Sequence, residues 1–175
     1  MFDERAAGRC WLLRGSIDYG RNRFEAASAA FERVRKLRPR DGHATNAFGL
    51  VALQRGAPIR AEALFQGLLE VEERAETRNN LGAALLAQGR IDEARANFER
   101  ALEARPSLEI ASLNLAVCLE RAGETSAAAD SYRRYVASGG DLNTRNVRAL
   151  RGRIQRLLHG RKTGERTNDV AQPQR

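Results

Sequence analysis

The chain has 175 residues, 30% of them charged and 6% aromatic, with a net charge of +8 and a mean hydropathy of −0.53. That length fits one domain, and no apolar run approaches the ~20 residues needed to span a bilayer. Two cysteines (Cys10, Cys118) and two histidines (His43, His159) are too few and too scattered for a disulfide framework or a metal site.

The charge is unevenly placed. Residues 1–40 hold ten basic and five acidic side chains, residues 41–142 eleven and fifteen, and residues 143–175 nine and two. A mildly acidic centre is thus flanked by basic ends. Lys36 and Lys162 are the only lysines, and this Arg- and Ala-rich usage suggests a GC-rich bacterial genome. The N-terminus, with Asp3 and Glu4 and no apolar signal region, points to a cytoplasmic chain.

In chain order, residues 3–20 are expected to form a helix with Asp3 as candidate N-cap and Trp11 packed inside its hairpin. A second helix follows at 24–38. The basic run Arg33, Arg35, Lys36, Arg38 and Arg40 surrounds its end, where cations complement the helix dipole; a patch for an acidic partner is the sharper alternative. Helices come next at 43–55 and 58–71, the latter opened by Pro58. The cluster Glu70, Glu72, Glu73 and Glu76 then reads as a solvated edge.

Residues 79–106, NNLGAALLAQGRIDEARANFERALEARP, give the clearest pair. Leu81, Leu85 and Leu86 keep helical spacing up to Gly89-Arg90; Ile91, Ala94, Phe98, Ala101 and Leu102 resume it up to Pro106. The spacing predicts helices at 75–88 and 91–104, then at 109–122 and 125–137, with Ser138-Gly139-Gly140 as the stop. From 142 to 159, Val147, Leu150, Ile154, Leu157 and Leu158 share one face, and Arg145, Arg148, Arg151, Arg153 and Arg156 cover the rest. This amphipathic segment, 141–160, is read as a cap on the preceding helices, and 161–175 as a disordered basic tail.

Three columns of residues recur. They are Gly15, Gly49, Gly82, Ala116; Ala27, Ala61, Ala94, Ala128; and Phe31, Phe65, Phe98, Tyr132, all stepping by 34, 33 and 34 residues. Gly82 and Ala94 are expected on facing helices, where small residues let two backbones approach. The chain resembles the tetratricopeptide repeat family through Leu81-Gly82, Leu85, Ala94, Phe98, Ala101 and Pro106, with Trp11, Gly15, Ala27, Phe31 and Pro39 echoing the pattern in the first unit. Leu68 and Tyr135 depart from its later Ala, and the Pro is missing after the second and fourth units.

The resemblance implies an all-α fold, a right-handed α-solenoid of four antiparallel helix hairpins (about 8–41, 42–74, 75–108 and 109–140) plus the C-terminal capping helix. It also implies that first helices line a concave groove. The peptide-binding candidates carried over are Tyr19, Asn46, Leu50, Leu53, Asn79, Asn80, Ala83, Leu86, Asn114, Val117 and Arg121. Leu12, Ser16, Leu113 and Glu120 fall on the same faces. Asn80 and Asn114 stand two residues before the Gly column, Asn46 and Asn79 three before it. A carboxamide offers both a donor and an acceptor, so these positions either hold a peptide backbone or merely tolerate half-exposure. Leu12, Ser16 and Ala47 occupy places where a carboxylate clamp would need cations or its Asn.

No Ser-His-Asp or Cys-His pairing and no phosphate loop is legible. The expectation is a non-enzymatic scaffold or adaptor for a protein or peptide partner, with no catalytic residue, metal or cofactor. Two alternatives are carried: binding of nucleic acid or an acidic surface by residues 143–175, and a self-assembling homo-oligomer joining basic ends to acidic middles.

Overall fold

The computed structural model describes residues 4–138 and 144–164, with side chains over 6–138 and 148–159. Among the described residues there are nine helices and no strand: α1 (Glu4–Gly20), α2 (Phe24–Leu37), α3 (Gly42–Gln54), α4 (Pro58–Val71), α5 (Ala75–Ala87), α6 (Ile91–Ala104), α7 (Glu109–Arg121), α8 (Thr125–Ala137) and α9 (Thr144–Gly164). Asp3, Gly139-Gly140, the side chains of Arg145 and Val147, and the tail from 165 lie outside the described residues. The last helix runs to Gly164, past the expected end at 160.

Each hairpin closes by one device. The second residue after the first helix takes a left-handed backbone: Asn22 (φ 57°), Gly56 (71°), Gly89 (79°) and Gly123 (80°). Glycine adopts this at no steric cost, and Asn is among the few other residues that tolerate it. The next amide then reaches back five residues, as Arg23 N to Asp18 O (2.8 Å), Ala57 to Ala52 (2.9 Å), Arg90 to Leu85 (3.0 Å) and Glu124 to Leu119 (2.9 Å), which is the Schellman closure of a helix end.

Inside each hairpin the three columns meet. Ala27, Ala61, Ala94 and Ala128 are fully buried, and Phe31, Phe65, Phe98 and Tyr132 are at most 1% exposed. The glycine opposite each Phe leaves room for the ring. A Cβ on Gly15 would lie 2.5 Å from Phe31 Cε1, on Gly49 2.6 Å from Phe65 Cε1, and on Gly82 2.7 Å from Phe98 Cε1 and 3.1 Å from the Ala94 carbonyl oxygen.

Packing is sequential. Each helix lies against the next, from α1 to α8, and α9 lies on α8. The first helices of neighbouring hairpins (α1 with α3, α3 with α5, α5 with α7) also touch, whereas no two second helices do. The stack therefore curves with its first helices inside. One apolar cluster runs from Ala52 and Phe65 through Phe98 and Tyr132 to Ile154 of α9; a smaller one joins Ala27 and Phe31 to Phe48 and Val51.

One expectation is corrected at the first hairpin. Trp11 is half-buried and belongs to neither cluster; the Arg33 guanidinium covers its ring at 5.2 Å. Cys10 is exposed, because no described element packs on the outer side of α1, while Cys118 is buried.

Opposite outcomes are expected from two Gly→Ala changes. Gly82→Ala overpacks the Phe98 contact and should lower stability by about 1–3 kcal/mol. Gly67 sits exposed inside α4 with nothing within 4 Å of an added Cβ, so Gly67→Ala should raise stability by about 0.5–1 kcal/mol. Urea unfolding midpoints of the two variants check both signs.

Candidate functional site

The inner face is built from α1, α3, α5 and α7, and four asparagines on the last three join into one hydrogen-bonded chain. Asn114 Nδ2 donates to Asn79 Oδ1 (2.9 Å), Asn79 Nδ2 to Asn80 Oδ1 (3.2 Å), and Asn80 Nδ2 to Asn46 Oδ1 (3.0 Å). The three bonds all run in the same direction, from α7 towards α3. Asn79, 4% exposed, is the buried link; Asn46, Asn80 and Asn114 are half-buried. At the ends, Asn46 Nδ2 and Asn114 Oδ1 make no hydrogen bond among the described residues, and neither is a buried unpartnered atom. A free donor and a free acceptor thus face solvent at opposite ends of the chain, the two polarities that a peptide backbone offers.

The pairing does not follow the sequence columns. Asn80 and Asn114 share a column, yet Asn114 pairs with Asn79. Neighbouring first helices are offset, so the residue that meets Asn114 on α5 is the one three before Gly82. That offset is a packing property, which column spacing alone does not reveal.

The apolar candidates form the floor. Leu50, Leu53, Ala83 and Val117 are half-buried and pack on the main cluster, and Leu86 is 8% exposed. Tyr19 lies towards the first hairpin, edge-on to Phe24 with ring centroids 5.8 Å apart. Arg121 is exposed, and its Nη1 donates to the Leu86 carbonyl at 3.3 Å, tying α7 to α5.

Glu120, on the same helix, is occupied by the molecule itself. Tyr132 Oη donates to Glu120 Oε2 at 2.9 Å and Arg153 Nε donates to the same oxygen at 2.7 Å, with the Arg153 guanidinium 5.6 Å over the Tyr132 ring. This triad joins α7, α8 and α9. Burial pushes the Glu120 carboxyl up, but the hydrogen bonds from Arg153 and Tyr132 and the charges of Arg153 and Arg156 outweigh it, holding Glu120 below the usual carboxylate range. Burial, then the bond to Glu120, pushes Tyr132 up to about 12.

One buried carboxylate escaped the sequence reading. Asp18, 1% exposed at the end of α1, takes a hydrogen bond from Arg14 Nε at 2.9 Å, and Arg23 Nη2 lies 2.5 Å from its other oxygen. A negative charge at a helix C-terminus opposes the dipole, and the two guanidinium groups compensate it. Among the described residues, no group of three or more His, Cys, Asp or Glu could hold a metal ion, and no helix is long and apolar enough to cross a membrane.

A family model described as Tetratricopeptide repeat matches residues 12–77 and 79–142. No curated protein matches the chain in sequence. Among solved structures, the chain is similar to the Thermobaculum terrenum O-GlcNAc transferase mutant K341M at 24% identity and TM-score 0.69, over 77% of this chain but only 27% of that one. It is similar to Pseudomonas aeruginosa pilF at 20% identity and TM-score 0.76, over 91% of this chain and 71% of that one. It is also similar to YrrB, a TPR protein with an unusual peptide-binding site, at 18% identity and TM-score 0.59, over 85% and 81% of the two chains.

The depressed Glu120 pKa fixes a sign. Its contribution to docking α9 is complete above the ordinary carboxylate range and is lost as pH falls through the lower folded-state value. Wild type should melt above Glu120→Gln at pH 7, and the gap should narrow as pH falls below the ordinary carboxylate range. Thermal unfolding followed by circular dichroism across that range is the measurement; a gap that persists at acid pH would mean that Glu120 acts by shape rather than charge.

Proposed function

The chain belongs to the tetratricopeptide repeat family, and from that membership we propose that it is a non-enzymatic scaffold holding an extended segment of a partner protein along its concave face. The observation that carries this reading is the asparagine chain. Asn46, Asn80 and Asn114 present carboxamides of fixed polarity on three consecutive first helices, and the buried Asn79 holds them in register.

The arrangement suits a main chain better than a charged terminus. Among the described residues the groove carries no cluster of cations, so the peptide is held through its backbone amides and carbonyls, which every sequence offers. The half-buried Leu50, Leu53, Ala83 and Val117 beside the carboxamides receive apolar side chains of the segment and supply selectivity. Asn79 acts through its neighbours, being buried and engaged on both sides, whereas the half-buried Asn80, engaged likewise, keeps its second amide hydrogen and second lone pair for the segment. The likeness to YrrB, whose peptide-binding site is its own, supports the class of ligand and nothing finer.

The test is a pair of baits, wild type and Asn80→Ala/Asn114→Ala, exposed to nuclease-treated lysate of the source cells, with bound protein identified by mass spectrometry and its affinity measured. Each lost hydrogen bond removes about 1 kcal/mol, more where a partner group is left unpaired. The double variant should therefore bind the partner roughly 5- to 150-fold more weakly, with an unchanged helical spectrum. Equal capture at equal affinity by both baits would remove the concave face from the account.

A further inference from the structure

Neighbouring hairpins also meet at their turn ends, where the opening residues of one second helix lie beside the turn of the next hairpin. Between the second and third hairpins, Glu62 fills this place. Its Oε1 accepts from Arg90 Nη1 at 2.7 Å and its Oε2 from Gln88 Nε2 at 2.7 Å, and Arg90 continues to Glu93 at 2.6 and 2.5 Å. The Glu62 side chain is 12% exposed. Its carboxyl is held below the usual range by the Gln88 hydrogen bond, then by Arg90, against burial. Between the third and fourth hairpins the signs exchange: Arg95, in the place of Glu62, donates to Glu124 at 2.7 Å.

The same step of 34 and 33 residues gives the counterparts between the first and second hairpins. Ser28 stands for Glu62, Arg55 for Gln88, Ala57 for Arg90 and Arg60 for Glu93. Two arginines stand here where the next interface has one, none of the four positions carries a carboxylate, and the two small residues leave a cavity of about 210 Å³ floored by Phe48, Val51 and Ala52. Arg60 lies 4.7 Å over the Phe48 ring and has no ion-pair partner among the described residues. Arg55 reaches only Glu25, at 3.5 Å, whose side chain is 81% exposed; such surface pairs contribute little. The opening turn of α4 contains no acid, and neither does that of α8, which has Glu124 at its N-cap; α2 opens with Glu25 and α6 with Asp92 and Glu93. A cation at a helix N-terminus opposes the dipole, and an anion there would relieve it.

We propose that this cavity is a carboxylate-binding site that takes the acidic side chain of a partner protein, set between Arg55 and Arg60 where Glu62 serves the next interface. The volume selects the ligand. It is below the ~300 Å³ at which drug-sized pockets begin, yet several times the ~30 Å³ share of one water, a space for one side chain. The apolar floor receives the methylenes of a glutamate, and the guanidinium groups receive its carboxylate as charge-assisted hydrogen-bond donors. None of the lining residues is a groove candidate, so this site and the asparagine chain stand or fall separately.

The test is nitrogen-15 NMR of the arginine Nε–H groups in the full chain. It is titrated with N-acetylglutamate methylamide, its glutamine counterpart, acetate, and sodium chloride at matched ionic strength. Arg55 and Arg60 should shift saturably with the glutamate compound, more weakly with acetate, and not with the other two. Arg60→Gln should weaken that response roughly tenfold or more. Ser28→Glu, which supplies the carboxylate from within the chain, should abolish it and raise the melting temperature by about 2–4 °C. Equal shifts from the glutamine compound or the salt, or a full response in Arg60→Gln, would overturn the site. Equal affinity for acetate would overturn the side-chain ligand. Asn80→Ala/Asn114→Ala should respond like wild type.

Discussion

The contact between a bare glycine backbone and an aromatic edge governs the architecture. Gly15, Gly49 and Gly82 each remove a side chain where Phe31, Phe65 and Phe98 must reach, and those rings are at most 1% exposed. Ring and backbone together set how closely the two helices of a hairpin approach. The fully buried Ala column marks the same close seam on the facing helix. With that seam fixed, the first helices touch across hairpins and the second helices splay apart. The concave face, and the spacing of Asn46, Asn80 and Asn114 along it, follow from this geometry. The fourth hairpin departs from it and gains a function in doing so. Ala116 faces Tyr132 rather than a Phe, and the tyrosine hydroxyl reaches Glu120, the anchor that also receives Arg153 of α9. The aromatic position carries a polar tip only in the hairpin on which α9 is docked.

Helix positions were legible because the punctuation is chemical. The elements expected at 58–71, 91–104 and 125–137 coincide with α4, α6 and α8, each preceded by a left-handed glycine. A fourth column, Asn22, Gly56, Gly89 and Gly123, runs through the sequence at the same step as the other three, and recognising the left-handed tolerance of Asn would have completed it. Contacts between hairpins were not legible in this way. The link from Asn114 to Asn79, and the burial of Asn79, depend on the offset between first helices, which no column encodes. Trp11 shows a second limit. Its size and apolarity place it inside the hairpin, but among the described residues α1 has a neighbouring hairpin on one side only, and the ring at that edge is covered by Arg33 instead.

Among the described residues, the two sides of the stack differ. On α9, Ile154 joins the main apolar cluster, and Arg153 is fixed by Glu120. The apolar stripe of the helix thus continues the core, while its exposed arginines face water. On α1, Leu13 and Ile17 are 64% and 42% exposed. The core is also thinner there, since the first hairpin shares only a small cluster with Phe48 and Val51. Stability should therefore be graded along the stack, as expected where units interact mainly with nearest neighbours.

Repetition creates an ordering problem, since units that share their core columns could pack in the wrong sequence. The turn-end contacts supply the missing distinction. Glu62 meets Arg90, and the equivalent pair one hairpin on is Arg95 with Glu124. If the third hairpin were skipped, Glu62 would face Glu124, a like-charge contact at a partly buried position. The correct order is favoured by attraction and the nearest wrong order disfavoured by repulsion, so discrimination exceeds what either effect gives alone. The first interface stands outside this code, because Ser28 and Ala57 carry no charge. There the specificity rests on the Phe31–Phe48 cluster and on Arg35 and Arg60 stacked over the Phe48 ring. Charge encodes order where hairpins are most alike, and an aromatic contact encodes it where the glycine turn gives way to Asn22.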